Sequence, residues 1–285
     1  MPHFRPVSRI IEPQWVLEGA GVKLRRSIAT RTLNYVDPFL LFDHFGSDDP
    51  EDYLAGFPLH PHRGIETVTY MLAGSVNHKD SIGNAGSIGA GDVQWMTSGR
   101  GIMHEEMPQP VNGRMEGFQL WVNLPAKLKM TAPRYQEILS AKIPHFETLE
   151  GAKIRVIAGK VNGVSGAVTE IYADPTYLDI SIPASKFCSQ PIAKGHAAFA
   201  YVFEGDGDFG ITDSGVEESI PSPRLVVFDD GDAIRVRAGQ KGVRFLLISG
   251  QPLHEPIARY GPFVMNTQAE IQQALDDLRN GTFMR

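Results

Sequence analysis

One cysteine, Cys188, is all that this 285-residue chain carries. An intramolecular disulfide is therefore excluded and a reducing compartment is expected. A lone small thiol in such a chain reads as a buried packing residue rather than a redox centre. No run of sequence approaches the roughly 20 apolar residues that a membrane helix needs. The opening MPHFRPVSRIIEPQWVLEGAG lacks the basic start, apolar core and small-residue cleavage site of a secretory leader. A cytoplasmic location is expected, or a nuclear one should the source be eukaryotic. Basic charge is short as well: 27 Lys and Arg stand against 33 Asp and Glu, a formal charge of −6. Electrostatic capture of nucleic acid or of an anionic membrane needs a concentrated cationic face, so neither is an expected partner.

Turn formers, by contrast, are plentiful, with Gly 29 and Pro 20. Between them recur short β-branched and aromatic runs, such as ETVTYML (66–72), SIGAGDVQWM (87–96) and GFQLWVNL (117–124). That spacing predicts an all-β chain of sandwich or barrel type. Two stretches read as helical, TAPRYQEILS (131–140) and TQAEIQQALDDLRNG (267–281). In the second, Thr267 with Glu270 three places on forms a capping signal, Gly281 marks the stop, and Ile271, Ala274, Leu275 and Leu278 share an apolar face. The length favours two domains at roughly 100–200 residues each. The expected division is a first domain over 1–130, a linker over 131–141, and a second domain with the terminal helix over 142–285.

The two halves look like copies of one β fold. TYMLAG (69–74) can be laid over AYVFEG (200–205), and GAGDVQWMTSGRGIMH (89–104) over DDGDAIRVRAGQKGVR (229–244). Under those alignments His60 and His62 fall opposite Pro191 and Ala193, and His104 and Glu106 opposite Arg244 and Leu246. Only the first copy keeps side chains able to hold a metal ion.

Chemistry concentrates in two short motifs. In GFPLHPHRGIE the histidines His60 and His62 stand at i and i+2, and alternate residues of a strand share one face. His104 and Glu106 repeat that spacing in SGRGIMHEEMP. Two such strands facing each other would bring three imidazoles and one carboxylate to a single centre with open positions, a donor set that accepts most first-row divalent metals. The remaining histidines, His3, His44, His78, His145, His196 and His254, read as ordinary.

The stretches DPFLLFDHF (37–45), GFPLHPHRGIETVTYMLAG (56–74), GDVQWMTSGRGIMHEEMP (91–108), GFQLWVNLP (117–125) and EPIARYGPFVMNT (255–267) together resemble the pirin family of the cupin superfamily. The resemblance implies a bicupin, two tandem jelly-roll-like β domains with a short C-terminal helix and metal only in the first. It also implies one divalent ion, foremost Fe(II), with Mn, Ni, Co, Cu and Zn open, held by His60, His62, His104 and Glu106. A generic cupin pattern H-x-H-x3-E would instead use Glu66. Strand parity permits either, and the pirin pattern favours Glu106, with Glu66 beside the site and Glu105 turned away.

The activity so implied is a quercetin 2,3-dioxygenase-type opening of a flavonol ring by O2, with Glu106 as both ligand and candidate base and Phe57, Met103 and Trp95 as candidate pocket walls. The alternative is a metal- or redox-dependent regulator that binds a protein partner, as nuclear members of the family do. Asp43 and His44 are candidates for supporting the metal site. Asp37-Pro38 and Gly261-Pro262 read as turns.

Overall fold

The computed structural model describes residues 2–109, 113–211 and 218–285. The chain divides into two compact units, one made of Gln14–Ser140 with Leu253–Arg285, the other of Met1–Pro13 with Ala141–Pro252. Both are built from antiparallel strands, and among the described residues there is one α-helix, Gln268–Arg279. The expected boundaries are thus corrected at both ends of the chain. Strand Val7–Ile11 pairs along Arg224–Phe228 of the later unit. The terminal helix buries Ile271 and Ala274 in a cluster with Ala258, Phe263, Met265 and Phe283, on which Met103 of the earlier unit also packs. The helix start follows the sequence reading: the Glu270 amide donates to the Thr267 hydroxyl at 3.2 Å and the Thr267 amide to the Glu270 carboxylate at 2.8 Å.

Residues 131–140 form no α-helix. They contain the strand Arg134–Ile138, paired with Val93–Thr97 at the edge of the first unit's larger sheet. An isolated helix of about ten residues is marginal in water, whereas the open edge supplies a full set of backbone partners for the strand formers Tyr135 and Ile138. The supposed linker is therefore, up to Ser140, part of the unit that begins at Gln14.

That unit has two facing layers. Arg134–Ile138, Val93–Thr97, Ile65–Ala73, Met115–Asn123, Phe39–Ser47, Val22–Ile28 and Gln14–Glu18 form a 7-stranded sheet in that order. Phe57–His62, Ile102–Gln109, Ser75–Asp80 and Ala85–Ile88 form a 4-stranded one. Leu24, Phe45, Met71 and Met115 of the larger sheet share one core with Val76 and Ile88 of the smaller. Burying such side chains stabilises by about 1.5–3 kcal/mol each, while a buried imidazole or carboxylate costs unless it is partnered. At one end of the inner face apolar packing gives way to His and Glu.

The other unit contains a 9-stranded sheet around Ile154, Ile180, Val226, Phe245 and Leu247. Its strand Ala197–Phe209 takes the place of Ile65–Ala73. Ala200 faces Val226 and Leu247 as Thr69 faces Gln94 and Gln119. The superposition of 69–74 on 200–205 therefore holds, and Gly74 and Gly205 end the two matched segments at φ +72° and +70°, a conformation glycine reaches without strain.

The superposition of 89–104 on 229–244 does not hold. Val93–Thr97 corresponds to Arg224–Phe228, and Ile102–Gln109 to the start of Ala233–Gly250, which pairs with Phe187–Pro191. Buried positions alternate along that pair as Cys188 and Gln190 on one strand and Ile234, Val236 and Ala238 on the other. His60 pairs with His104 and His62 with Ile102, as Cys188 pairs with Val236 and Gln190 with Ile234. His60 and His62 thus find Cys188 and Gln190, and His104 and Glu106 find Val236 and Ala238. The expected Pro191, Ala193, Arg244 and Leu246 are corrected, because a Gly-Asp turn precedes different strands in the two units and matching it slides the alignment by one strand.

Candidate metal centre

His60 and His62 come from Phe57–His62, and His104 from Ile102–Gln109 beside it. Strand alternation turns all three rings to one point. Their ligand-type atoms lie within 4.8 Å of one another, the His60 and His62 Nε2 atoms are 3.1 Å apart, and the ring centroids of His60 and His62 stand 4.3 and 5.0 Å from that of His104. The Pro58 carbonyl lies 2.9 Å from His60 Nδ1. It accepts the hydrogen there and leaves Nε2 with its lone pair. Burial, reinforced by the neighbouring rings, holds His62 and His104 well below the usual histidine range. Both are therefore neutral at neutral pH and able to ligate.

His104 supplies the test of whether a metal fits. It is fully buried at 0% exposure, and neither of its ring nitrogens has a hydrogen-bond partner. An unmet buried polar atom costs about 1–3 kcal/mol, and a cation shared with His60 and His62 is what would satisfy it. Glu106, 8% exposed, lies within the same 4.8 Å limit of His104 but is grouped with His78 rather than with His60 and His62. The pairing with Phe57–His62 slips between His104 and Glu106, so that Glu106 stands opposite Phe57. The Gln94 amide donates to its Oε1 at 3.1 Å, and the Thr69 hydroxyl reaches the same oxygen at 3.1 Å.

A cavity of about 500 Å³ opens onto His60, His62 and Glu106. Its walls are mainly apolar, with Leu24, Phe57 and Trp121 among them, and Arg26, Asp43 and Arg259 line it as well. Arg26 grips Asp43 through two hydrogen bonds of 2.8 and 2.7 Å and Glu18 through one of 2.6 Å. Burial pushes the Asp43 carboxyl up to about 6 against the pull of Arg26. The Arg259 guanidinium lies over the Trp121 ring at 4.8 Å.

Residues 21–122 match the pirin family, and residues 177–284 match the pirin C-terminal cupin domain. The chain belongs to the pirin family. A Pseudomonas aeruginosa relative, provisionally named as a quercetin 2,3-dioxygenase, is 43% identical to this pirin-family chain over 286 residues, 99% of each. A quercetin 2,3-dioxygenase from Acinetobacter baumannii, solved by crystallography, is similar at TM-score 0.88 and 34% identity, covering 98% of each chain. A bacterial pirin from Escherichia coli, solved in complex with nickel(II), shares the fold at TM-score 0.63 and 22% identity, covering 88% of this chain and 100% of its own. With the family comes the fold: both units of the chain are cupin domains.

Set against the sequence reading, the structure gathers His60, His62 and His104 into one group and brings Glu106 to its His104 side. Glu66 is fully buried and accepts from the Thr97 hydroxyl at 2.7 Å, outside both groups of potential ligands. Of the candidate pocket walls, Phe57 lines the cavity. Met103 packs toward the terminal helix, and Trp95 is a wholly buried core residue. Asp43 reaches the cavity, whereas His44 meets Glu116 at 3.2 Å and the Phe118 ring at 4.7 Å. His78 was read as ordinary, and that is corrected: it joins His104 and Glu106 in a second group of potential ligands. The alternation of Val76, His78 and Asp80 in SVNHKD carried the signal. No described helix is long and apolar enough to cross a membrane.

Proposed function

We propose that this chain is a metal-dependent dioxygenase of the quercetin 2,3-dioxygenase type, acting on a flavonol-like aromatic substrate with O2. The observation that carries the reading is the wholly buried His104, bare at both ring nitrogens, converging with His60 and His62 beside a mainly apolar cavity. The similarity to a quercetin 2,3-dioxygenase of known structure supports it.

His60, His62, His104 and Glu106 would hold the ion, foremost Fe(II), a mixed imidazole and carboxylate set suited to first-row divalent metals. When bound, the ion supplies a Lewis-acidic site that favours the deprotonated hydroxyl of the substrate and a place for O2 to react. The remaining work falls to the chain. The Gln94 amide donates to Glu106 Oε1 and the Thr69 hydroxyl lies 3.1 Å from it, which orients the carboxylate so that its other oxygen would receive the substrate hydroxyl proton. Phe57, Leu24 and Trp121 offer flat and apolar surface to aromatic rings and displace water around the reacting carbon atoms.

The test is anaerobic binding of quercetin to protein fully loaded with Fe(II), followed by O2. Stoichiometric oxygen uptake with loss of the flavonol absorbance is the expected result. Absence of turnover in fully loaded protein rejects the enzyme reading.

A further inference from the structure

His78 stands on Ser75–Asp80 directly opposite Glu106, and Asp80 stands opposite His104. The His78 side chain is fully buried, and its Nε2 meets Asp80 Oδ2 at 3.2 Å. Asp80 is itself tightly held. Its Oδ1 accepts from the Ile82 and Asn84 amides at 3.0 and 2.9 Å, and its Oδ2 from the Asn84 side-chain amide at 2.8 Å. A carboxylate fixed in this way accepts, so Nε2 of His78 is the nitrogen that carries the hydrogen. Nδ1 is left with the lone pair, and it is buried without a hydrogen-bond partner. Tyr135 stacks on the ring at 4.5 Å and 15°, locking its plane.

Within 4.8 Å of one another lie ligand-type atoms of His78, His104 and Glu106. An imidazole donating one nitrogen to a carboxylate while the other stays bare is how proteins orient a histidine toward a metal. A buried acceptor left unmet costs about 1–3 kcal/mol, which a shared cation would remove.

We propose that His78 is a fifth donor of the centre, and that His78, His104 and Glu106 form a second position for the same divalent ion. This second position presupposes the metal centre of His60, His62 and His104. Both positions draw on His104, so they are alternatives for one ion and the stoichiometry stays at one per chain. They differ in kind. The first gathers three imidazoles with Glu106 at its His104 side, while the second has two imidazoles to the same carboxylate, a set better matched to harder ions such as Mn(II).

The experiment is equilibrium dialysis of apoprotein against Co(II) and Mn(II), for the unchanged chain, the double variant His60→Asn/His62→Asn, and each with His78→Phe, which keeps the stack on Tyr135. The double variant is expected to retain one ion per chain. Adding His78→Phe to it should weaken binding by at least about tenfold more than the same change does in the unchanged chain. If the double variant binds nothing, or binds equally well without His78, the second position is overturned while the first stands. If the unchanged chain binds neither ion, both positions fall together. Should circular dichroism show the double variant unfolded, the same comparison is made in His62→Asn alone. There a loss on His78→Phe at least about tenfold beyond additivity supports the second position, and additive effects overturn it.

Discussion

Where Phe57–His62 and Ile102–Gln109 turn His60, His62, His104 and Glu106 inward, the corresponding strands of the other unit turn in Cys188, Gln190, Val236 and Ala238. The layer opposite differs in the same sense. Thr69, Gln94 and Gln119 stand in one unit where Ala200, Val226 and Leu247 stand in the other. In the first, the Thr69 hydroxyl lies 2.7 Å from Gln119 Oε1 and 3.1 Å from Glu106 Oε1, with Gln94 on the same carboxylate oxygen. In the second, Ala200, Val226 and Leu247 belong to one hydrocarbon core. The donors and the groups that hold them are thus present together or absent together. A half-satisfied polar cluster is costlier than either extreme.

The strongest way to break this contrast is His104→Ala. Loss of a direct donor should weaken metal binding by at least about a hundredfold, given that losing a supporting partner alone costs 10–100-fold; dialysis with elemental analysis reads it. Leu247→Ala probes the other side. It should cost about 2–5 kcal/mol of stability in denaturant unfolding while metal content in the folded state stays unchanged, and a matching loss of metal would show that the two units do not divide the work as their interiors imply. Gln94→Leu sharpens the point about support, with an expected loss of about tenfold in metal affinity and little change in unfolding midpoint.

The smallest effect is one of pH. A hydrogen bond from Arg63, followed by one from Gln273, holds the Asp277 carboxyl below its ordinary range. Its contribution is therefore present above that range and fades as pH falls through the lowered value. The stability difference between the unchanged chain and Asp277→Asn should be constant above about pH 5 and shrink as pH falls through and below the ordinary carboxylate range. A constant difference would contradict the pairing.

What could be read from the sequence was whatever a single segment decides. His60 with His62 and His104 with Glu106 were legible because strand alternation fixes facing within one strand, and Thr267 with Glu270 because a cap is local. The home of the terminal helix was not, since Arg63 meets Asp277 from 214 positions away. The strand Arg134–Ile138 was hidden because only the neighbouring edge of Val93–Thr97 makes it one. His78 was passed over because its significance lies in standing across from Glu106 on another strand. Trp95 was misplaced as a wall by one residue of parity: its neighbour Gln94 is the one that reaches Glu106.

Arg63 follows the second histidine directly, is 2% exposed, and has its guanidinium bound by Asp277 at 2.7 Å and by the Phe283 carbonyl at 2.9 Å, with the Phe283 ring 4.4 Å away. Those partners are made 214 and 220 residues later. During synthesis Arg63 therefore has neither Asp277 nor Phe283 to meet until nearly the whole chain has been made. Such distant closure is slow relative to local pairing. The burial of Arg63, next in sequence to His62, is thus completed only when the tail docks.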